Sequence, residues 1–275
     1  MKNFKLGVLV TVLFLALHFS LAIAGNIQPV GNVIGKDHQG CDVYQIDSNG
    51  IKIGYKLVGN GTPLVMIVGL GNTMDIWPRE LLDTLSQKFQ LILFDNRGMG
   101  FTSSNETPFT YKLFADDVIG LLDALKIQQA DVLGFSMGST ITQELLLEYP
   151  SRFRKAVIYA TSVDGSNVAS ALKDKKPKGD GHINPTVIRQ LEATTHWKTP
   201  LERLSTISNQ VMFIVGTSDE VVGMESSKKL ASSVPGAWLV QFKKGTHKLM
   251  LEFPKEFAQI VYTFLDISET VHRDN

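Results

Sequence analysis

Short apolar runs alternate along this chain with segments whose apolar positions recur at helical spacing. Val43 to Ile46 and Ile51 to Val58 flank Asp47-Ser48-Asn49-Gly50, whose Asn-Gly step is a strong hairpin signal, so the pattern opens with an antiparallel pair. Further strands are predicted over Leu64 to Val68, Leu91 to Phe94, Val132 to Gly134, Ala156 to Tyr159, Val211 to Val215 and Trp238 to Phe242. Helices are predicted between them over Pro78 to Gln87, Tyr111 to Leu125, Met137 to Glu148, Glu225 to Ser233 and Pro254 to Leu265. Each crossover helix returns the chain to the same end of the sheet, which forces parallel pairing. The expected fold class is therefore α/β: a mostly parallel eight-stranded sheet flanked by helices, with its chemistry in the loops after the C-terminal strand ends.

One interval breaks the rhythm. About 50 residues separate the strand ending near Ala160 from the one starting near Val211, where a crossover needs roughly a dozen. A short lid is predicted there over 165–208, inserted between strands six and seven. Lys173 to Gly181 is charged and rich in breakers, so it reads as a mobile segment. Asn184-Pro185 and Thr199-Pro200 each place a capping residue before a proline, which predicts two short helices at about 186–195 and 201–207.

Residues 1–24 read as a secretory signal peptide. Lys2 and Lys5 precede an apolar run from Leu6 to Ile23, and Ala22-Ile23-Ala24 gives the small-x-small cleavage pattern. The run nearly spans a bilayer, so an uncleaved N-terminal anchor is the alternative. Either way, 25–275 is expected to be one exported domain, periplasmic or extracellular, or tethered at a membrane. Removing the segment takes two lysines and no acids from 27 basic and 27 acidic residues, leaving a net charge of −2. That balance argues against a nucleic-acid partner. Cys41 is the one cysteine, so no internal disulfide forms, and it reads as a structural thiol on a strand.

The chemistry concentrates in three loops. Gly134-Phe135-Ser136-Met137-Gly138 lies between a predicted strand and a predicted helix, the setting in which a serine is held exposed on a sharp turn. Serine needs a base, ordinarily a histidine oriented by a carboxylate. Of six histidines, only His247 follows a predicted strand directly, in Lys243-Lys244-Gly245-Thr246-His247. Asp219, in Gly216-Thr217-Ser218-Asp219-Glu220 after the preceding strand, is the candidate orienter. Backbone N–H groups of Met137 and of Leu70, in Gly69-Leu70-Gly71-Asn72, are the candidate oxyanion donors. Trp77, Phe135 and Trp197 are candidate substrate contacts.

These motifs resemble the α/β-hydrolase superfamily, in particular its single-domain, esterase-like serine hydrolases with a small lid. Phe94-Asp95-Asn96-Arg97-Gly98-Met99-Gly100-Phe101-Thr102-Ser103 is similar to the loop that the family carries after its fourth strand, and the likeness runs over most of 43–266. The resemblance implies that Asp95 and Arg97 are scaffold. One position departs: many relatives carry His-Gly before the oxyanion donor, and Val68 stands in the histidine's place. The expected function is ester hydrolysis through an acyl-enzyme on a small-molecule substrate, with no metal or organic cofactor. The same triad also fits peptidase, lactonase, acyltransferase, C–C hydrolase or perhydrolase chemistry, and the fold also serves ligand-binding proteins without turnover.

Overall fold

The computed structural model describes residues 26–173 and 184–268, so the predicted signal segment and most of the predicted mobile segment lie outside the described residues. Nine strands form one sheet: β1 (Asn32–Lys36), β2 (Asp42–Ser48), β3 (Ile51–Val58), β4 (Thr62–Ile67), β5 (Phe89–Phe94), β6 (Ala130–Phe135), β7 (Phe153–Tyr159), β8 (Gln210–Gly216) and β9 (Trp238–Phe242). Their spatial order is β1-β2-β3-β5-β4-β6-β7-β8-β9. The first three strands and the β3–β5 pair run antiparallel, and the pairs from β5 through β9 are parallel. The predicted hairpin is present, with Asn49 and Gly50 at φ 48° and 71°, the left-handed values that its tight turn demands.

The central strands are buried on both faces, which is why they read as continuous apolar runs. Alternate residues nevertheless enter different layers. Leu64 and Met66 of β4 pack with Leu81, Leu82 and Leu85 of α1 (Arg79–Leu85) and, near the C-terminus, with Phe257, Val261 and Phe264. Val65 and Ile67 pack on the opposite face with Phe114, Val118 and Leu121 of α2 (Tyr111–Ala124) and Ile141 and Leu145 of α3 (Met137–Glu148).

Three elements differ from the sequence expectation. The extra strand, β1, is five residues long and mostly exposed, so it has no apolar period to betray it. Helix α4 (Gly165–Lys173) fills the start of the interval, and α5 (Pro185–Thr195) follows where a helix is expected, its N-terminus capped by Asn184, which accepts the Thr186 N–H. Thr199 does not cap the last piece, a 3₁₀ turn over Leu201–Thr206; its hydroxyl donates instead to buried Gln143 at 3.0 Å. The chain closes with α6 (Met224–Ser233), α7 (Leu249–Glu252) and α8 (Pro254–Asp266). No helix of the described residues is long and apolar enough to cross a membrane.

The loop after β5 is held by its own charges. Asp95 accepts the N–H groups of Met74 and Phe101, at 2.7 and 2.8 Å. Arg97 donates through Nε and a terminal nitrogen to the two carboxylate oxygens of Asp117, at 2.9 and 2.6 Å, and both side chains are buried. Asn49 of the hairpin turn donates to the same carboxylate at 2.6 Å, so this one group ties hairpin, loop and α2 together.

Candidate active site

Ser136 occupies the turn from β6 into α3 with φ 53° and ψ −117°, a conformation that an L side chain adopts only under constraint. The constraint is the closeness of the neighbouring backbone. A Cβ at Gly134 would lie 2.3 Å from the Gly138 carbonyl oxygen, and one at Gly138 would lie 2.1 Å from that of Ile67. Only glycine fits either place. The Ser136 N–H donates to the Tyr159 carbonyl at 3.0 Å, which pins the turn to β7.

The ends of β6, β8 and β9 then bring three predicted side chains together. His247 Nε2 lies 2.9 Å from Ser136 Oγ, and His247 Nδ1 lies 2.9 Å from Asp219 Oδ2. A carboxylate accepts only, so it fixes the proton on Nδ1 and leaves Nε2 with a lone pair for the serine hydroxyl. The other carboxylate oxygen of Asp219 accepts the Val221 and Val222 N–H groups at 2.9 and 3.1 Å. Tyr159 donates its hydroxyl to the His247 carbonyl at 2.6 Å, and the Phe135 ring lies 5.3 Å from the imidazole. Glu220, beside Asp219, faces the cavity instead.

Burial pushes the Asp219 carboxyl up, but hydrogen bonding and charge from His247 and the two backbone N–H groups outweigh it and hold the carboxyl below its ordinary range. The unfolded chain therefore takes up this proton first as the pH falls. The stabilisation is complete above about pH 4 and is lost as the pH drops through the depressed folded value. Asp219→Asn is accordingly expected to flatten the fall in unfolding free energy between about pH 5 and 3, read by urea titration. Parallel profiles for the two proteins would contradict this placement of the charge.

Leu70 and Met137 border the same cavity as Ser136. The β4 loop reaches the serine because Gly69 has no side chain: a Cβ there would come within 3.0 Å of Ser136 Cβ. Among the described residues the Leu70 N–H meets no protein acceptor, and Met137 opens α3, where N–H groups lack intrahelical partners. The helix dipole adds positive potential at that end.

The cavity has a volume of about 850 Å³, and its wall includes Tyr111, Phe135, Met137, Val168, Trp197 and Val222. Phe135 and Trp197, both candidate substrate contacts, lie in this wall. Trp77 does not: it is buried in the core, edge-on to Phe135 at 6.4 Å, and does not reach the cavity. Tyr111 and Val168 are wall residues that the sequence does not reveal, because an aromatic or aliphatic residue on a helix reads as core. The Tyr111 hydroxyl bonds Thr194 at 3.0 Å, and burial pushes its pKa up to about 12, so it stays a neutral hydrogen-bonding group.

Outside the cavity, Asp37, His38 and Asp75 bring ligand-type atoms within 4.8 Å of one another. The buried Lys56 ammonium already pairs with Asp37 and lies 3.7 Å from Asp75, so this cluster is a compensated ion network.

A family model described as alpha/beta hydrolase fold matches residues 62–180. Over 250 aligned residues the chain is 33% identical to a provisionally named carbamate hydrolase, RutD, of Azorhizobium caulinodans, covering 76% of this chain and 93% of that protein. It is 38% identical over 112 residues to a provisionally named non-heme bromoperoxidase, BpoC, of Mycobacterium tuberculosis; that match spans 40% of this chain and only 42% of the relative's length. The solved structure of an alpha/beta hydrolase fold protein from Chitinophaga pinensis superposes with a TM-score of 0.74 at 24% identity, covering 85% of this chain and all of that one.

Proposed function

The chain belongs to the α/β-hydrolase family, and we propose that it is a serine hydrolase that cleaves a small-molecule carboxylic ester through an acyl-enzyme. The observation that carries this reading is the chain of hydrogen bonds from Asp219 through His247 to Ser136, ending at the wall of an 850 Å³ cavity.

Ser136 Oγ attacks the carbonyl carbon while His247 Nε2 takes its proton. Asp219 keeps the imidazole in the tautomer that can accept it and stabilises the imidazolium that forms. The carbonyl oxygen gains the charge and meets the Leu70 and Met137 N–H groups, each such donor being worth about 3 kcal/mol of transition-state stabilisation. Collapse breaks the bond to the alkoxy oxygen, which leaves as alcohol with the proton from His247. Water, deprotonated by the same histidine, then attacks the acyl carbon, and a carboxylic acid departs as Ser136 recovers its proton. Lid helices α4 and α5 border the cavity through Gly165, Val168 and Thr194. Export remains part of the proposal and rests on the sequence of residues 1–24 alone.

The test is turnover of p-nitrophenyl esters of increasing acyl length beside an amide and a lactone panel, together with labelling by a fluorophosphonate. Ester turnover with stoichiometric labelling of Ser136 is expected. A labelled serine with turnover confined to the amide or lactone panel would keep the mechanism and replace the substrate class. An unlabelled serine would overturn both.

A further inference from the structure

We propose that Gln190, on lid helix α5, is a positioning residue that sets the oxyanion loop, so that the docked lid helix and the competent oxyanion site are one assembly. The inference rests on the ester-hydrolase reading above.

Gln190 is fully buried, and its Oε1 accepts the Gly71 N–H at 2.8 Å across 119 positions of sequence. That contact fixes the amide's orientation, because an N–H group needs an acceptor. Nε2 is then left buried without a hydrogen-bond partner among the described residues. A buried donor left unpaired is destabilising, and a leucine or methionine would fill the space without it. Packing alone therefore does not explain a glutamine here, whereas the bond to Gly71 does.

The bond matters because of what lies next to it. Gly71 sits at φ 71°, a left-handed value, directly after Leu70. The Asn72 N–H donates to the Gly69 carbonyl at 3.2 Å. In a trans peptide the C=O and the following N–H point in opposite directions, so this bond aims the Leu70 N–H away from Asn72. Gln190 holds the N–H side of the next peptide plane, whose Leu70 carbonyl accepts from Asn72 Nδ2 at 3.0 Å. Of the two planes flanking Leu70, one is thus fixed by the loop itself and the other by the loop and α5 together. Val187, one turn earlier on α5, backs the same glycine: a Cβ there would lie 3.5 Å from a Val187 methyl group.

Other contacts fasten α5 without touching this loop. Arg189 donates to the Asn105 and Thr107 carbonyls at 2.9 and 2.7 Å and stacks over Phe109 at 3.8 Å. They provide the control.

Gln190→Met keeps the volume and removes the acceptor. Its kcat on the best ester is expected to fall about tenfold with KM within about twofold, since an oxyanion donor slightly out of place weakens the transition state and not the ground state. Affinity for a trifluoromethyl ketone, whose adduct with Ser136 carries the same oxyanion, falls in parallel. Gln190→Glu, whose buried carboxyl stays neutral and still offers an acceptor, keeps kcat within about threefold of wild type. This second arm stands even where the methionine variant does not fold. Arg189→Met loosens the helix and is expected to lower the melting temperature while kcat stays within about twofold.

Unchanged kcat and ketone affinity in Gln190→Met, a tenfold loss in Gln190→Glu, or an equal kcat loss in Arg189→Met would each overturn the inference and leave the ester-hydrolase reading standing. A wild-type protein that neither turns over esters nor labels at Ser136 would overturn that reading before any variant is made.

Discussion

Ser136→Ala is expected to lower kcat for ester hydrolysis by about a million-fold, the scale on which removing the serine of a Ser-His-Asp triad acts in other hydrolases. Alanine leaves His247 and Asp219 in place, but the imidazole then has only water to deprotonate, at a distance that the missing Oγ no longer defines. The fold has little reason to change. Alanine carries the same Cβ through the strained φ of 53°, and the lost hydrogen bond lies at the cavity surface. Stopped assays on p-nitrophenyl butyrate, with urea unfolding run beside them, separate the two effects. Residual turnover above about 1% of wild type, at unchanged stability, would remove Ser136 from the mechanism.

The second large effect is on stability. Arg97→Met is expected to cost about 3 to 5 kcal/mol, because it leaves the Asp117 carboxylate buried without its cation. The damage would not stay local, since the same carboxylate receives Asn49 from the hairpin turn and Arg97 also donates to Asn105 at 3.0 Å. Arg97→Met combined with Asp117→Leu removes both charges and is expected to recover much of the loss. Urea midpoints for the single and double variants decide it. A single-variant cost below about 1 kcal/mol, or a double variant no better than the single, would show that the pair is not what ties the hairpin to α2.

The legibility of this chain follows from its burial pattern. Strands at the centre of the sheet announce themselves because both faces are covered; β1 does not, because Val33 and Ile34 point into solvent at 53% and 41% exposure. Gly134, Ser136 and Gly138 are legible because tight packing leaves only glycine a place on either side of the serine. Asp219 and His247 are legible because their loops follow strands in the right order. Trp77 and Trp197 carry no such mark: one belongs to the core and the other to the cavity, and only the packing of the helices between them decides which. Gln190 is equally silent, since a glutamine on a helix says nothing of a partner 119 positions away.

The separation of the three polar groups also governs when they meet. Ser136 and His247 lie 111 positions apart, and three parallel pairings, β6–β7, β7–β8 and β8–β9, stand between the strands that carry them. Parallel pairings of this kind must close a long crossover before any contact rewards it, so they form slowly. The meeting of Ser136 and His247 therefore depends on the docking of the edge strand β9, which His247 follows, rather than on the collapse of the core.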